Sequence, residues 1–320
     1  LVSNDVSKNQ ITIMPAYWFM YNLYALARNA TKYVERDKRD SKIQHLEYDF
    51  LAPDSINEIF TGLELLKKYI AASKDHKATN TPALIKAGEQ MLEDDAEDIK
   101  SISVTNAGIE NSSRLVCIAK VKEAYHIYKK LVIYYGVNQV LGLIESRNIR
   151  SFDELMDALP SAPQRTEWVN VGGQLLPSDA VQGLLRGIRD NTIQSWEEVH
   201  EFYVQNSLSY SEQKLHHAYA SLLEILRINH INANQFKNLL HQALEIKEWM
   251  FKNIYESRAK DYQNAFRKMI YDNEEEMENV IGKLNDNVFI VQQKKELDQF
   301  KLYVESALKI LEVQPIKNPS

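Results

Sequence analysis

The chain contains 320 residues and carries a formal net charge of −6, from 38 basic and 44 acidic side chains. It is long enough for two globular domains, and it lacks the basic excess that binding to a nucleic-acid backbone requires. A nucleic acid is therefore not an expected partner. No apolar run approaches about 18 residues, so a membrane is not an expected partner either. The single cysteine, Cys117, excludes an internal disulfide and multi-cysteine metal sites.

The first residues predict an extended connector. Residues 1–14 begin with Leu1 where a natural start has Met, and they show apolar alternation only at Ile11 and Ile13. We therefore expect a missing N-terminal domain of the same chain as a partner. No basic stretch followed by an apolar segment marks a secretory signal, so a cytoplasmic location is expected.

Repeated helix-start signals predict an α-rich fold. Pro15 precedes the segment Tyr17–Arg39, whose aromatic density is typical of a helix in the core. Three further start signals are the capping boxes Ser55–Glu58, Ser151–Glu154 and Ser195–Glu198. A fourth is Thr81, an N-cap followed by Pro82 at the first helical position. Ser178 is expected to cap a short helix that ends near Asp190.

The segment from Ile43 to Phe50 alternates polar and apolar residues, as a strand does. On a strand, His45, Glu47 and Asp49 would share one face. One imidazole and two carboxylates are a sensible set for metal binding or acid–base chemistry, which makes these residues a weak metal-site candidate. A solvated polar face explains the same alternation.

A second polar and aromatic segment surrounds a pair of glycines. Trp168 to Leu176 is expected to fold as a hairpin over Gly172 and Gly173, and Arg114 to Ala119 is a further short strand candidate. Glycines also allow close approach of the backbone to a ligand. The candidate ligand-binding residues are therefore Glu167, Trp168, Asn170, Gly172, Gly173 and Gln174, with a purely structural hairpin as the alternative.

The last third of the chain is expected to form long helices. No proline occurs from Ser178 to Gln314, and apolar residues repeat with a period near 3.5 in two seams. The seams are Leu239, Ala243, Ile246, Met250 and Ile254, and Leu297, Phe300, Val304, Leu308 and Leu311. A polar connection around Tyr271–Glu276 would turn one helix back on the other.

The predicted fold class is therefore all-α, mainly α with a small β hairpin or short strands, as a helical bundle with long antiparallel C-terminal helices. The expected organisation is a connector at 1–14, a helical domain with a small β element at 15–195, a long-helix bundle at 196–314 and a tail at 315–320. Neither a G-x-G-x-x-G nor a P-loop motif occurs, so no cofactor is evident, and the catalytic residues, if there are any, are unknown.

Two strings carry a resemblance to a known family: Ile11–Asn29 (ITIMPAYWFMYNLYALARN) and Glu167–Pro177 (EWVNVGGQLLP). They resemble the C-terminal half of a bacterial family of unknown function whose members are loosely described as related to UDP-N-acetylglucosamine pyrophosphorylase. The resemblance covers nearly the whole chain. It implies an N-terminal left-handed β-helix half that this chain lacks, and it transfers no catalytic residue.

These observations lead to one functional expectation and two alternatives. The expected function is a helical accessory or assembly domain of a sugar-nucleotide-related β-helix protein, without a complete catalytic set of its own. The first alternative is a sugar-nucleotide-binding enzyme domain with a pocket around 167–174. The second is a protein-interaction scaffold, with a homo-oligomer as a further expected assembly. Whether the chain is an enzyme stays open.

Overall fold

In a computed structural model, the described residues are 2–3, 10–16, 22–39, 44–74, 82–94, 99–105, 109 and 114–311. The fold is mainly helical, as the sequence predicts. The chain forms two compact units, Leu1–Asn22 with Asn57–Lys130 and Leu23–Ile56 with Leu131–Ser320. Each unit combines segments that are distant in the sequence, and the predicted division into 15–195 and 196–314 stays a prediction. The expected tail, 315–320, lies outside the described residues.

The strands of the first unit form one small sheet. They are β1 (Val2–Ser3), β2 (Gln10–Met14), β3 (Ser101–Val104) and β4 (Leu115–Ala119), in the order β1-β2-β4-β3. β2 and β4 are parallel, and the other two pairs are antiparallel. Ile11, Ile13, Val116 and Ile118 are buried on one face. Residues 10–14, which were expected in a connector, thus belong to a sheet. The predicted strand at Leu115–Ala119 is confirmed.

The helices account for most of the chain. In chain order they are α1 (Leu23–Arg36), α2 (Pro53–Lys74), α3 (Pro82–Glu93), α4 (Val121–Arg147), α5 (Phe152–Ala158), α6 (Ser178–Arg189), α7 (Trp196–Leu226), α8 (Ala233–Gln263), α9 (Ala265–Lys268), α10 (Glu274–Ile281) and α11 (Val288–Ile310). A hairpin of β5 (Trp168–Val171) and β6 (Gln174–Pro177) precedes α6. None of the described helices is long and apolar enough to cross a lipid bilayer.

The aromatic segment Tyr17–Arg39 was expected to supply a core helix, and this expectation is wrong for its described part. In α1, Leu23 and Ala27 are buried, whereas Tyr33 is 64% exposed. Residues 17–21 lie outside the described residues. α4 is instead the helix buried on nearly all sides, because apolar side chains surround its axis.

The C-terminal helices α8 and α11 form the predicted antiparallel pair. Lys247 and Glu248 of α8 are ion-paired with Glu296 and Lys301 of α11, whereas Tyr255, further along α8, donates a hydrogen bond to Asn285. Residues later in α8 therefore lie beside residues earlier in the segment that contains α11, so the two helices run in opposite directions. The predicted seam residues of α8 are all buried. The connection is longer than predicted and contains α9 and α10.

The capping boxes explain where several helices begin. Ser195 accepts a hydrogen bond from the backbone N–H of Glu198, and the Glu198 carboxylate accepts one from Ser195 in return. Ser151 caps α5 through the N–H of Glu154. Such caps satisfy N–H groups that have no partner inside the helix, so these two predicted starts are confirmed.

Gly136 lies where α4 and α7 approach closely. A Cβ atom added to Gly136 would lie 2.7 Å from Leu222 Cβ and 3.2 Å from the carbonyl oxygen of Ala218, whereas one added to Gly142 would meet nothing within 4 Å. Glycine at 136 is thus a packing requirement, while glycine at 142 is not.

The exchange Gly136→Ala is expected to lower the free energy of unfolding by about 1–3 kcal/mol, because the backbones cannot separate without loss of packing. Gly142→Ala on the same helix is the matched control and should raise the free energy of unfolding by up to about 1 kcal/mol, because alanine favours helix. Urea unfolding of both variants measures the difference. Equal changes in the free energy of unfolding for the two variants would contradict the close approach of α4 and α7 at Gly136.

Candidate functional site

The two candidate segments of the sequence meet on one helix of the second unit. Residues 44–50 form no strand, and Ile43 lies outside the described residues, so the predicted strand is wrong; we call residues 44–51 the wedge segment. The His45 ring lies 4.3 Å from the Tyr210 ring, and the Trp168 ring meets Tyr210 edge-on at 5.9 Å. Ser207 accepts hydrogen bonds from the His45 backbone N–H (3.0 Å) and from Gln174 Nε2 (3.1 Å). The wedge segment and the hairpin are thus joined through α7.

Glu47 is the anchor of the wedge segment. Its Oε2 accepts hydrogen bonds from the Tyr210 hydroxyl and from Lys214 Nζ (2.7 Å), and its Oε1 accepts the backbone N–H groups of Tyr48 and Asp49. The Glu47 and Lys214 side chains are only 10% and 11% exposed. Both carboxylate oxygens are therefore engaged inside the protein.

The ionisation of Glu47 reflects two opposing effects. Burial by itself raises the pKa of this carboxyl, but the charge of Lys214 and the hydrogen bonds from Lys214 and Tyr210 outweigh burial, so the pKa lies below its ordinary value. Burial lowers the pKa of His45. An ionised Glu47 beside an ammonium group is a structural ion pair.

The metal hypothesis for His45, Glu47 and Asp49 loses its basis with the strand. Among the described residues, no group of three or more His, Cys, Asp or Glu side chains is placed to hold a metal ion. His45 stacks on Tyr210, Glu47 binds Lys214, and Asp49 lines a separate cavity.

The hairpin residues divide between turn formation and packing. Gly172 and Gly173 have φ angles of 64° and 95°, and Asn170 Oδ1 accepts the N–H of Gly173. A Cβ atom at Gly173 would lie 3.1 Å from Leu46 of the wedge segment. These glycines serve the turn and a close contact, as the structural alternative predicts. Glu167, Asn170 and Gly172 are exposed, whereas Trp168 and Gln174 are buried.

A cavity of about 490 Å³ opens on the far side of the wedge segment, and we call it the Asp49 cavity. It is formed by α1, the wedge segment, α4, α8 and α11. Its polar and aromatic lining residues are Thr31, Tyr48, Asp49, Phe50, Tyr134, Asn138, Lys247, Phe251, Gln293, Glu296, Gln299, Phe300 and Tyr303.

Lys247 is the cation in the lining of this cavity. Its Nζ lies 3.8 Å from Glu296 Oε2, beyond hydrogen-bond distance, and 5.9 Å from the centre of the Tyr134 ring. In the described part of the chain its Nζ donates no hydrogen bond, although the side chain is only 13% exposed. An amine with unused donors on the wall of a cavity favours an occupant that brings acceptor oxygens.

The carboxyl and amine groups of the cavity show the effect of burial. Burial raises the pKa of Asp49 and lowers the pKa of Lys247, and in each case nearby opposite charges oppose the shift without reversing it. Burial also raises the pKa of Tyr134. Burial therefore disfavours the charged form of each of these groups.

The fold and this site define a mainly helical domain with a polar internal cavity. A family model described as "Domain of unknown function (DUF6819)" matches residues 151–311, half of the chain, and the chain belongs to this family. The expected membership of a family of unknown function is confirmed, while a link to UDP-N-acetylglucosamine pyrophosphorylase does not follow from it.

One relative is considerably longer than this chain. An uncharacterized protein of Treponema pallidum (strain Nichols) is 34% identical over 290 residues, which cover 88% of this chain and 38% of that protein. The chain thus spans about two-fifths of the length of this relative. No solved structure matches the chain.

The exchange Lys214→Met is expected to destabilise the protein by about 3–5 kcal/mol at pH 7, because it leaves the Glu47 carboxylate buried without its cation. The folded pKa of Glu47 lies below the unfolded one, so the stabilisation by Lys214 is present above the unfolded pKa and is lost as the pH falls through the folded pKa. The difference in the free energy of unfolding between Lys214→Met and the natural protein should therefore shrink as the pH falls. Urea unfolding between pH 7 and pH 3 measures it.

Lys294→Met is the matched control, because Lys294 and its partner Asp298 are both more than half exposed. Its effect should stay within about 1 kcal/mol at every pH. A loss for Lys214→Met that is equally small, or that grows in acid, would contradict the role of Glu47 as anchor.

Proposed function

We propose that this chain is a helical accessory domain of a longer protein and that it binds a neutral, polyhydroxylated ligand, such as a sugar, in the Asp49 cavity. The observation that carries the proposal is Lys247, whose side chain is mostly buried and whose amine lines the cavity without donating a hydrogen bond to any described residue. A ligand oxygen would satisfy it.

The charges of the cavity favour hydroxyl groups over phosphates. Lys247 is the cation in the described lining, and it faces two carboxyl groups, Asp49 and Glu296. An anionic phosphate would gain one attraction and meet two like charges. A hydroxyl group donates and accepts, so it pairs with a carboxylate and with an amine alike.

The aromatic and amide lining supports the same ligand class. Tyr134 and Phe300 lie with their ring centres 5.5 Å apart, and they present apolar surface beside the amides of Asn138 and Gln299. An apolar wall with a few placed polar groups is typical of small-molecule sites. A sugar ring offers both an apolar face and hydroxyl edges.

We further propose that the longer protein is sugar-nucleotide-related, bacterial and cytoplasmic, with the missing N-terminal domain as partner of this chain. The resemblance of Ile11–Asn29 and Glu167–Pro177 supports this proposal, as does the greater length of the Treponema relative. The enzyme alternative centred on 167–174 has less support, because Asn170 and Gln174 are engaged in the turn and in packing.

Lys247→Met is expected to weaken sugar binding by about tenfold or more, the effect of losing a hydrogen bond to a charged donor. The measurement is titration calorimetry with N-acetylglucosamine and glucose, with UDP and inorganic phosphate as anionic comparisons. The natural protein should bind at least one sugar more tightly than it binds either anion.

Lys252→Met is the matched control, since Lys252 lies on the same helix with 72% of its side chain exposed. It should leave sugar binding unchanged. The proposal fails if no sugar binds at millimolar concentration, or if both variants bind sugar as the natural protein does.

A second candidate function is self-assembly, and a specific surface favours it. Phe266, Met269, Ile270 and Val280 are between 65% and 80% exposed, and a hydrogen bond from Tyr262 to the carbonyl oxygen of Ile281 brings the two parts of this connection together. Clustered exposed apolar side chains mark interaction surfaces. We propose that a second copy of the chain covers them.

Light scattering at about 100 µM (a concentration at which a micromolar dimer is mostly assembled) is expected to show a dimer for the natural chain. The double exchange Phe266→Glu and Ile270→Glu should give a monomer, because it places charges in an apolar contact. A natural chain that is monomeric at this concentration would exclude the self-assembly candidate.

A further inference from the structure

The amine of Lys247 has the surroundings of a nucleophile. A lysine side chain attacks a carbonyl carbon only as the neutral amine, and removal from water favours that form. The Lys247 side chain is mostly buried, and burial lowers the pKa of its amine, although the charges of Glu296 and Asp49 oppose the shift. At a given pH, folding therefore increases the neutral fraction of this amine.

The same amine is accessible from the Asp49 cavity. Among the described residues, Arg258 Nε is the side-chain nitrogen that is both sealed from solvent and without a hydrogen bond. Lys247 Nζ also lacks a hydrogen bond there, so it differs from Arg258 Nε in keeping accessible surface. Its nearest neighbours, the Glu296 carboxylate and the Tyr134 ring, line the same cavity. A ligand in the cavity can therefore reach the amine.

Two other shielded lysines show what is particular to Lys247. The Lys214 side chain is 11% exposed, but its Nζ donates to Glu47 Oε2 at 2.7 Å. Lys67 is ion-paired with Glu89 at the same distance. Those amines are engaged by a carboxylate, whereas the distance of 3.8 Å from Lys247 Nζ to its partner leaves the amine unbonded within the described part of the chain.

Glu296 is placed to accept a proton from the Lys247 ammonium. Its Oε2 lies 3.8 Å from Lys247 Nζ, so a small movement of the lysine side chain brings the two into hydrogen-bond distance. The amides of Gln292 and Gln293 donate to the two oxygens of Glu296 at 3.1 and 2.8 Å. The carboxylate is therefore held in place beside the amine.

Asp49 is suited to the opposite role, the donation of a proton. Burial raises the pKa of its carboxyl, so Asp49 keeps a proton to higher pH than an ordinary aspartate does. Its Oδ1 accepts the backbone N–H of Leu51 at 3.1 Å, and its Oδ2 has no partner among the described residues. The cavity thus combines an amine, a proton acceptor and a proton donor, the groups that carbonyl addition requires.

We propose that Lys247 forms a reversible imine with the carbonyl carbon of a polyhydroxylated aldehyde or ketone in the Asp49 cavity. This inference rests on the proposed function and names the open-chain carbonyl form of a sugar as the reacting ligand. Its hydroxyl groups fit the amides and carboxyl groups of the lining. A neutral molecule also avoids the repulsion that an anion would meet from two carboxyl groups.

The reaction needs neither an oxidant nor a reductant. The Lys247 ammonium gives a proton to Glu296, and the nitrogen then forms a bond to the carbonyl carbon. The carbonyl oxygen takes a proton from Asp49 and becomes a hydroxyl group, while the nitrogen returns a proton to Asp49. The hydroxyl group leaves as water with the proton held by Glu296, and a protonated carbon–nitrogen double bond remains.

The test exposes the full 320-residue chain to dihydroxyacetone or glyceraldehyde, with sodium cyanoborohydride to reduce any imine to a stable amine. Peptide mapping by mass spectrometry measures the rate of adduct formation at each lysine. Lys247 should react at least about tenfold faster than Lys252, because a bound carbonyl compound is held beside its amine. In the chain unfolded by urea, the two lysines should react alike.

Lys252→Met is the matched control variant, since Lys252 lies on the same helix with 72% of its side chain exposed. It should keep the fast adduct, and Lys247→Met should lose it. Pyruvate serves as an anionic carbonyl compound. Relative to its rate in unfolded chain, its reaction at Lys247 should be accelerated less than that of dihydroxyacetone.

The proposal is overturned if Lys247 reacts no faster than Lys252 in the folded natural chain, or if the fast reaction is confined to pyruvate. Both readouts come from the natural chain, so they hold even if Lys247→Met does not fold. Sugar binding in calorimetry without a fast adduct at Lys247 refutes the imine alone. A fast adduct without sugar binding refutes the sugar proposal and supports the imine.

Discussion

The buried ion pair between Glu47 and Lys214 is the contact on which the arrangement of the second unit depends. Glu47 receives hydrogen bonds from Lys214, from Tyr210 and from two backbone N–H groups, so the wedge segment is held against α7 although it has no regular secondary structure. Two residues on either side, His45 stacks on Tyr210 and Asp49 lines the Asp49 cavity. Removing one partner of such a pair leaves a buried charge, which is why the contact has structural weight.

Burial acts differently on the two acidic side chains of the wedge segment. Glu47 has an ammonium group within hydrogen-bond distance, and its pKa falls below the ordinary value. Asp49 lies near Lys247 but forms no ion pair within 4.0 Å with any described residue, and burial keeps its pKa raised. Neighbouring positions thus have separate roles: Glu47 anchors the chain, and Asp49 supplies a polar group to a cavity.

The Asp49 cavity combines groups of different character within one unit. Carboxyl groups, an amine and amides line it beside the rings of Tyr134 and Phe300, and this set is suited to hydroxyl groups. Its described lining lacks the clustered cations that a phosphate needs. The proposed role of an accessory domain that holds a small neutral group is consistent with this lining.

Local signals in the sequence determined the helical class, the starts of α5 and α7, the glycine hairpin and the antiparallel C-terminal helices, because caps, turn residues and apolar spacing act over a few residues. Alternation at 44–50 was misleading, since hydrogen bonds to a distant helix replace those of a strand. Lys247 and Glu296 were missed, because they come from separate segments and Lys247 lies beside an ordinary apolar seam. Asp49 was singled out, but with His45 and Glu47 as its expected partners in place of the groups that line the cavity. Long-range packing decides which of these side chains face a common cavity. Their chemistry depends on burial and on the distances to partner groups, and both exist only in the folded chain.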